Sequence, residues 1–135
     1  MTARLEIPLK SNARILLIED NHTNRQLMSD YLRYCGYEIA TLPTGHSFEA
    51  KMTQFKPHLV LLDLKLPDID GFTLIQQIRQ TPAWRDMPVI VVSAYAFQAD
   101  QQRALRLGAN RYLVKPVKLT ELLKAIAEAL QYLTV

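Results

Sequence analysis

The sequence predicts an α/β protein in which an open parallel β-sheet is covered by helices on both faces. Five short apolar runs recur at similar intervals along the 135 residues, and segments with helical spacing of apolar residues separate them. The core runs, such as LVLL and VIVV, are nearly continuous in Leu, Val and Ile, which is typical of strands covered on both faces. Strict alternation of strand and helix favours parallel neighbours joined by right-handed crossovers.

We predict one strand from each apolar run. In chain order the runs are RILLI, YEIAT, LVLLD, VIVVS and RYLVK, at Arg14 to Ile18, Tyr37 to Thr41, Leu59 to Asp63, Val89 to Ser93 and Arg111 to Lys115. Residues 1–12 precede the first strand and include Pro8, so we expect them to be a flexible leader. The folded domain is expected to span residues 13–133.

Five helices are predicted between and after the strands. The first ends at Gly36 and the fourth, which starts near Gln98, ends at Gly108, because glycine is favoured just past a helix end. The apolar positions that mark the first, second, third and fifth helices are, in that order, Leu27, Tyr31 and Cys35; Phe48, Met52 and Phe55; Phe72, Ile75 and Ile78; and Leu119, Leu122, Leu123, Ile126, Leu130 and Leu133.

Composition excludes several classes of protein. The 16 basic and 13 acidic residues give a net charge of +3, and the basic residues are spread along the chain, so composition does not indicate nucleic-acid binding. The single cysteine, Cys35, cannot form an internal disulfide, which suits a reducing compartment. No apolar run approaches the roughly 18 residues of a membrane span, and the first ten residues lack a signal peptide's apolar stretch. We therefore expect a cytoplasmic protein without membrane contact.

Polar residues stand at the carboxyl ends of four predicted strands, the edge where open parallel sheets bind ligands. They are Glu19 and Asp20 after the first strand, Asp63 at the third, Ser93 at the fourth and Lys115 at the fifth. Three neighbouring carboxylates repel one another, so they either raise their pKa values or bind a divalent cation. Magnesium prefers oxygen ligands and is typically held by one or two carboxylates. The pattern favours a magnesium site with Asp20 and Asp63 as direct ligands.

The same residues suit phosphoryl transfer. A carboxylate such as Asp63 can act as a nucleophile toward phosphorus when the charge on the transferring oxygens is offset. Lys115 would supply a positive charge to those oxygens, and the Ser93 hydroxyl would donate a hydrogen bond to one of them.

Four motifs in this order resemble those of the receiver domains of bacterial response regulators, such as the chemotaxis regulator. The motifs are LLIEDN with Glu19 and Asp20, LLDLKLPDIDG around Asp63, VVSA at Ser93 and YLVKP at Lys115. The resemblance covers about residues 13–133. It implies a doubly wound, flavodoxin-like (βα)5 fold with a single five-stranded parallel sheet in strand order 2-1-3-4-5, acting in a two-component system or phosphorelay.

The resemblance also implies roles for the residues at the metal site. Asp63 would be the phosphoacceptor, and Asp20 and Asp63 would bind Mg²⁺. Glu19 would assist through a water molecule, and the main-chain carbonyl of Lys65 would complete the protein ligands. Glu19 replaces the commoner aspartate, and its longer side chain is expected to alter metal affinity without abolishing it.

A switch is the second implication of the resemblance. Ser93 and Lys115 would contact the phosphoryl group, and Tyr112 lies where the family has an aromatic residue that swings inward as the Ser93 hydroxyl moves. The surface of the fourth helix, fifth strand and fifth helix would then change. The peptide between Lys115 and Pro116 is expected to be cis.

Two further positions are implied to set the lifetime of the phosphoryl group. Lys65 and Tyr95 lie two residues beyond Asp63 and Ser93, where members of the family shield the phosphoryl group from water. The sequence does not give that lifetime.

Partners follow from the same resemblance. A sensor histidine kinase or histidine phosphotransfer protein would donate the phosphoryl group, docking on the first helix near Asn24, Gln26 and Leu27. The last helix ends close to residue 135, which leaves no room here for an output domain, so output is expected through a downstream protein and without direct nucleic-acid contact. A homodimer is left open, as is whether the chain stands alone or comes from a larger one.

Other functions account for the same residues less well. Singly, Asp63 or Lys115 could be a turn cap or a solvated strand end, but that account does not explain their joint placement. A receiver that binds partners without being phosphorylated is the main alternative, and the acids, serine and lysine above argue against it. A phosphohydrolase of the haloacid dehalogenase type would need an aspartate two residues after Asp63, where Lys65 stands. No GxxxxGK[ST] motif supports a P-loop nucleotidase.

Overall fold

The computed structural model describes residues 13–134, with side chains described as far as residue 131. The predicted leader, residues 1–12, and the side chain of Leu133 lie outside the described residues. None of the helices between residues 13 and 134 is both long and apolar enough to cross a membrane.

Five strands and five helices alternate along the described chain. The strands are β1 (Arg14–Ile18), β2 (Glu38–Leu42), β3 (Leu59–Leu62), β4 (Val89–Ser93) and β5 (Arg111–Val114). The helices are α1 (His22–Tyr34), α2 (Phe48–Phe55), α3 (Gly71–Gln80), α4 (Gln98–Leu107) and α5 (Leu119–Thr134), and a short 3-10 turn, Pro82–Trp84, precedes β4. All pairings are parallel, in the order β2-β1-β3-β4-β5. The predicted fold class and strand order are confirmed.

Two apolar cores lie on opposite faces of the sheet, as the predicted layers require. Because successive side chains of a strand point to opposite faces, Leu16 and Ile18 of β1 face one core, whereas Ile15 and Leu17 face the other. Helices α2, α3 and α4 cover the first core, and α1 and α5 cover the second. The central strands β1, β3 and β4 are almost wholly buried, which explains their continuous apolar runs.

Four strand boundaries differ by one residue from the prediction. The second strand starts at Glu38, because the Tyr37 N–H still donates to the Leu32 carbonyl at the end of α1 (3.1 Å), and it ends at Leu42 instead of Thr41. Asp63 and Lys115 lie just beyond β3 and β5, although their N–H groups still donate to the carbonyls of Ile18 and Ser93 at 3.0 and 2.9 Å. The two site residues are thus held by the ladder but stand at its rim.

The predicted apolar face of the first helix is wrong at one position. Leu27 is 54% exposed, whereas Met28 and Leu32 are buried against the second core. Tyr31 and Cys35 are only partly buried at the edge of that core. The sequence contains two adjacent diagonals of apolar residues at i, i+4 spacing, and the one that begins at Met28 faces the sheet.

The predicted glycine stops of two helices are confirmed. Gly36 and Gly108 have φ values of 104° and 118°, a region that favours glycine. Gly36 follows Cys35, the C-cap residue of α1, and Gly108 follows α4 directly. Asn21 and Asp70 begin α1 and α3 by accepting hydrogen bonds from the N–H groups of Asn24 and Phe72. These caps set the direction in which the chain leaves the carboxyl rim of the sheet.

Candidate functional site

The predicted acidic residues meet at the carboxyl rim of the sheet. Glu19 and Asp20 follow β1, Asp63 follows β3, and one carboxylate oxygen of each lies within 4.8 Å of the others. The neighbouring positions of β1 and β3 in the sheet bring about this convergence. Glu19 and Asp63 are buried, at 1% and 5% exposure, whereas Asp20 is exposed. The cluster therefore has a buried floor and one side that solvent can reach.

Lys115 bridges the two buried carboxylates. Its Nζ donates to Glu19 Oε1 at 2.7 Å and to Asp63 Oδ2 at 2.9 Å, and its side chain is largely buried at 18% exposure. The lysine follows β5, and β4 separates β5 from β3 in the sheet. The long side chain of Lys115 spans this separation to reach Asp63. The peptide bond between Lys115 and Pro116 is cis, as predicted.

Burial and pairing act in opposite directions on these groups. Burial raises the pKa of Glu19 above its ordinary 4.5, although the hydrogen bond from Lys115 and the Asn21 N–H act against that change. Burial alone would lower the pKa of Lys115, but hydrogen bonds to Glu19 and Asp63 outweigh it and raise that pKa above 10.5. Lys115 is therefore firmly cationic at neutral pH.

The loop after β3 orients the Asp63 carboxylate. The Lys65 N–H donates to Asp63 Oδ1 at 3.2 Å, opposite the oxygen that contacts Lys115. Gly71 closes this loop at the start of α3, and a Cβ there would lie 2.5 Å from the Leu64 Cα and 2.9 Å from the Asp63 carbonyl oxygen. Gly71 thus has a backbone role, because a side chain there would require the loop to move. The ligand role predicted for the Lys65 carbonyl stays a prediction.

The residues expected to form a switch are linked through one backbone segment. Ser93 is buried at the end of β4, and its Oγ accepts a hydrogen bond from the Tyr95 N–H at 3.1 Å. The Tyr112 hydroxyl donates to the Tyr95 carbonyl at 2.7 Å. Burial raises the pKa of the Tyr112 phenol, so the phenol remains a hydrogen-bond donor at neutral pH. Tyr95 therefore connects Ser93 and Tyr112 in this arrangement.

Two contacts near the site were not foreseen from the sequence. Arg25 in α1 donates from Nη1 to the carbonyl oxygens of Glu19 and Asp20, at 2.9 and 3.3 Å. Asp68, in the loop after β3, accepts a hydrogen bond from the Gly45 N–H across two loops. The first contact could have been inferred from Asn21, four residues before Arg25, because this helix cap fixes where α1 starts. No local pattern indicated the second.

The donor set is suited to a hard divalent cation. Three carboxylates and one ammonium leave two negative charges at the rim, which one divalent ion would neutralise. Every side-chain donor in the cluster is an oxygen, the type that Mg²⁺ prefers, and the exposed Asp20 leaves room for the water ligands that Mg²⁺ keeps. The cluster could thus hold a metal ion.

Comparison with known proteins gives the family. The family model described as the response regulator receiver domain matches residues 15–127, which include every predicted site residue. The chain belongs to this family. Receiver domains of this family are signalling proteins of two-component systems. The predicted resemblance is therefore confirmed.

Relatives of this receiver domain include both long and short proteins. The transcriptional regulatory protein GltR of Pseudomonas aeruginosa is 36% identical over 91% of this chain and 51% of GltR. The polar-differentiation response regulator DivK of Brucella anthropi is 30% identical over 83% of this chain and 91% of DivK. The chain spans about half the length of GltR and of three similar regulatory proteins.

Solved structures share the fold of this receiver domain. The receiver domain protein from Methanospirillum hungatei, described as CheY-like, superposes with a TM-score of 0.82 at 31% identity, over 89% of this chain and 94% of that one. The likeness therefore extends over most of both chains.

Proposed function

We propose that this receiver domain accepts a phosphoryl group on Asp63 in a reaction that requires Mg²⁺. One observation carries the proposal: the buried Asp63 carboxylate lies 2.9 Å from the Lys115 ammonium and within 4.8 Å of two further carboxylates. A carboxylate in such a setting can act as a nucleophile toward phosphorus. The ammonium beside it is already placed to offset the negative charge of the phosphorylated product.

The transfer itself is a single displacement at phosphorus. An Asp63 carboxylate oxygen forms the new O–P bond while the N–P bond of a phosphohistidine on the donor protein breaks, and the histidine nitrogen keeps the electron pair. Lys115 is held to Asp63 before the reaction, so its charge is already in place when negative charge spreads over the phosphoryl oxygens. The hydroxyl of Ser93, at the end of β4, would donate a hydrogen bond to one of these oxygens.

Asp20, Asp63 and the Lys65 carbonyl would hold the Mg²⁺, with Glu19 acting through a water molecule. The ion would neutralise charge on the carboxylates and on the phosphoryl oxygens. Glu19 already accepts two hydrogen bonds, from Lys115 and from the Asn21 N–H, which fits an indirect role better than direct ligation.

Phosphorylation would then act as a switch. It adds about −1.5 to −2 charge and three acceptor oxygens, enough to compete for the Ser93 hydroxyl that now accepts from Tyr95. Since Tyr112 bonds the carbonyl of the same residue, a shift of this segment would change the surface of α4, β5 and α5.

The donor would be a histidine kinase or histidine phosphotransfer protein, and a downstream protein would read the switched surface. We propose a cytoplasmic setting and a folded domain over residues 13–133. GltR is named a transcriptional regulatory protein and is about twice as long, so the expected lack of nucleic-acid contact concerns only the residues of this chain. A homodimer has no support among the comparisons.

Incubation with Mg²⁺ and acetyl phosphate tests the proposal. We expect a mass gain of one phosphoryl group that is stable in acid, labile in base, absent with EDTA and absent in Asp63→Asn. Asp86→Asn, an exposed acid beyond the 3-10 turn, is the matched control and should be phosphorylated like the wild type. A folded wild type that gains no mass with acetyl phosphate or a phosphohistidine donor would instead support the unphosphorylated interaction module.

A further inference from the structure

Two loops at the carboxyl rim are joined by a side chain outside the acidic cluster. Asp68 lies in the loop between β3 and α3, and its Oδ1 accepts a hydrogen bond from the N–H of Gly45 at 2.9 Å. Gly45 belongs to the loop between β2 and α2 and is buried, although Asp68 itself is exposed. The bond spans 23 positions of sequence, so it closes a contact that neither loop could form alone.

The two loops are packed closely enough for this bond to define their distance. A Cβ at Gly45 would overlap the Cγ2 methyl group of Ile69, so a larger residue there would require the Ile69 side chain to shift. Ile69 follows Asp68 directly, so packing and hydrogen bond act on the same two residues. The loop after β2 thus packs directly against the loop after β3.

The loop after β3 is also closed on itself near its ends. Lys65 pairs with Asp70 in an isolated antiparallel bridge, and the Gly71 N–H donates to the Leu64 carbonyl at 3.0 Å. These contacts close the base of the loop. In its tip, residues 66–69, Leu66 and Ile69 pack against the first core, and Asp68 adds the hydrogen bond to Gly45.

We propose that Asp68 is a positioning residue for the cation and phosphoryl site. The proposal rests on the proposed function, since it concerns the same site. Asp68 would restrain the tip of the loop, and the same loop carries the Lys65 N–H that donates to Asp63 Oδ1. Asp68 acts through a hydrogen bond to backbone, so an acceptor is required at this position but a negative charge is not.

Two variants separate the hydrogen bond from the charge. Asp68→Asn keeps a side-chain carbonyl oxygen that can accept from Gly45 but removes the charge, whereas Asp68→Ala removes both. Binding of Mn²⁺, used as a paramagnetic substitute for Mg²⁺, is measured by electron paramagnetic resonance of the free ion. We expect Asp68→Ala to weaken Mn²⁺ binding about threefold to tenfold, the effect of roughly one lost hydrogen bond, and Asp68→Asn to match the wild type.

A second readout follows the loop itself. In ¹⁵N spectra of Asp68→Ala, we expect faster hydrogen exchange of the Gly45 amide and a shifted Lys65 amide, since that amide donates to Asp63. Asp68→Asn should retain both wild-type signals. Because Asp68 is exposed, we expect both variants to fold, and the Asp68→Asn comparison tests the proposal even if Asp68→Ala is less stable.

The outcomes distinguish this inference from the proposed function. Equal Mn²⁺ affinity in all three proteins would overturn the positioning role and leave the proposed function intact. Weak binding in Asp68→Asn as well as Asp68→Ala would also overturn it, because the charge would then be the cause. A folded wild type that binds no Mn²⁺ would contradict the proposed metal site, and the inference with it.

Discussion

At the residue scale, Lys115 is a structural partner as well as a proposed catalytic group. Its ammonium is shared by the buried carboxylates of Glu19 and Asp63, at 2.7 and 2.9 Å. We predict that Lys115→Met lowers the free energy of unfolding by roughly 1–3 kcal/mol in the absence of divalent ions, because two buried acceptors lose their donor. Urea unfolding at neutral pH measures the change.

Lys118→Met is the matched control for Lys115→Met. Lys118 is exposed in the loop before α5, so its replacement should change the free energy of unfolding by less than about 0.5 kcal/mol. Equal stability of the two variants would mean that the bridge across the carboxylates contributes nothing to the fold.

The environment of His58, away from the acidic cluster, leads us to predict that stability depends on pH. The Arg14 N–H donates to its Nδ1 at 2.9 Å, which requires an unprotonated Nδ1. Burial, and then the charge of Arg14, lower the pKa of His58 below its ordinary 6.5, against the opposing effect of Glu38. The unfolded chain therefore binds the proton more tightly, and stability is lost as the pH falls from 6.5 through the folded pKa.

The measurement compares free energies of unfolding at about pH 7.5 and about pH 5.5, either side of the ordinary histidine value. We expect His58→Gln to lose less stability than the wild type between these values. His46→Gln, which replaces an exposed histidine, should lose as much as the wild type does. An unchanged dependence in His58→Gln would refute the assignment.

The sequence was enough to predict which residues share the rim of the sheet, because each of these acids, the serine and the lysine stands at the carboxyl end of an apolar run. The pairing of atoms was not predictable. That Lys115 contacts Glu19 as well as Asp63, and that Asp68 reaches Gly45, depends on loop paths and rotamers that strand position does not fix.

At the element scale, α1 shows how far apolar spacing alone can be trusted. Leu27 and Met28 stand on adjacent diagonals of the helix, but Leu27 is 54% exposed and Met28 is 5% exposed. We predict that Met28→Ala lowers the free energy of unfolding by about 2–4 kcal/mol, while Leu27→Ala changes it by less than about 0.5 kcal/mol. Urea unfolding of both variants tests the assignment, and equal losses would show that the helix is rotated from this position.

The exposure of Leu27 also bears on how a partner protein docks. Leu27 was predicted both as a core residue and as part of a donor docking surface, and only the second role fits its exposure. We therefore expect Leu27→Ala to fold with almost unchanged stability, so that docking of a kinase or phosphotransfer protein can be tested on it.

A second contact between elements shows another limit of sequence interpretation. The Arg79 guanidinium at the end of α3 donates to the Gly108 carbonyl at 2.7 and 3.0 Å and to the Met87 carbonyl at 2.7 Å. It joins the end of α4 to the segment before β4. Arg79 stands in a helix with an ordinary pattern, and nothing in the local sequence distinguishes it from a solvated arginine.

At the scale of the whole molecule, the topology followed from the sequence for a physical reason. Parallel strands with continuous apolar runs must be covered on both faces, and short connections with right-handed crossovers leave few arrangements. The strand order itself came from resemblance to the family. The edge strands β2 and β5 are less buried than the central three, which matches the more polar composition of YEIAT and RYLVK.

This topology brings Glu19 and Asp20, on the segment after β1, next to Asp63, on the segment after β3, so an ion bound between them would join the two segments only in the folded state. We therefore predict that Mg²⁺ stabilises the whole fold by mass action, by about 1.4 kcal/mol at ten times its dissociation constant. Asp20→Asn should lose most of this gain, and Asp86→Asn should keep it. Urea unfolding in MgCl₂ is compared with NaCl of equal ionic strength, which separates binding from screening. Equal stabilisation of the wild type by both salts would mean that charge screening alone accounts for the effect. Equal gains of the two variants from Mg²⁺ would mean that Asp20 is not a ligand of the ion. Either result would contradict the predicted metal site.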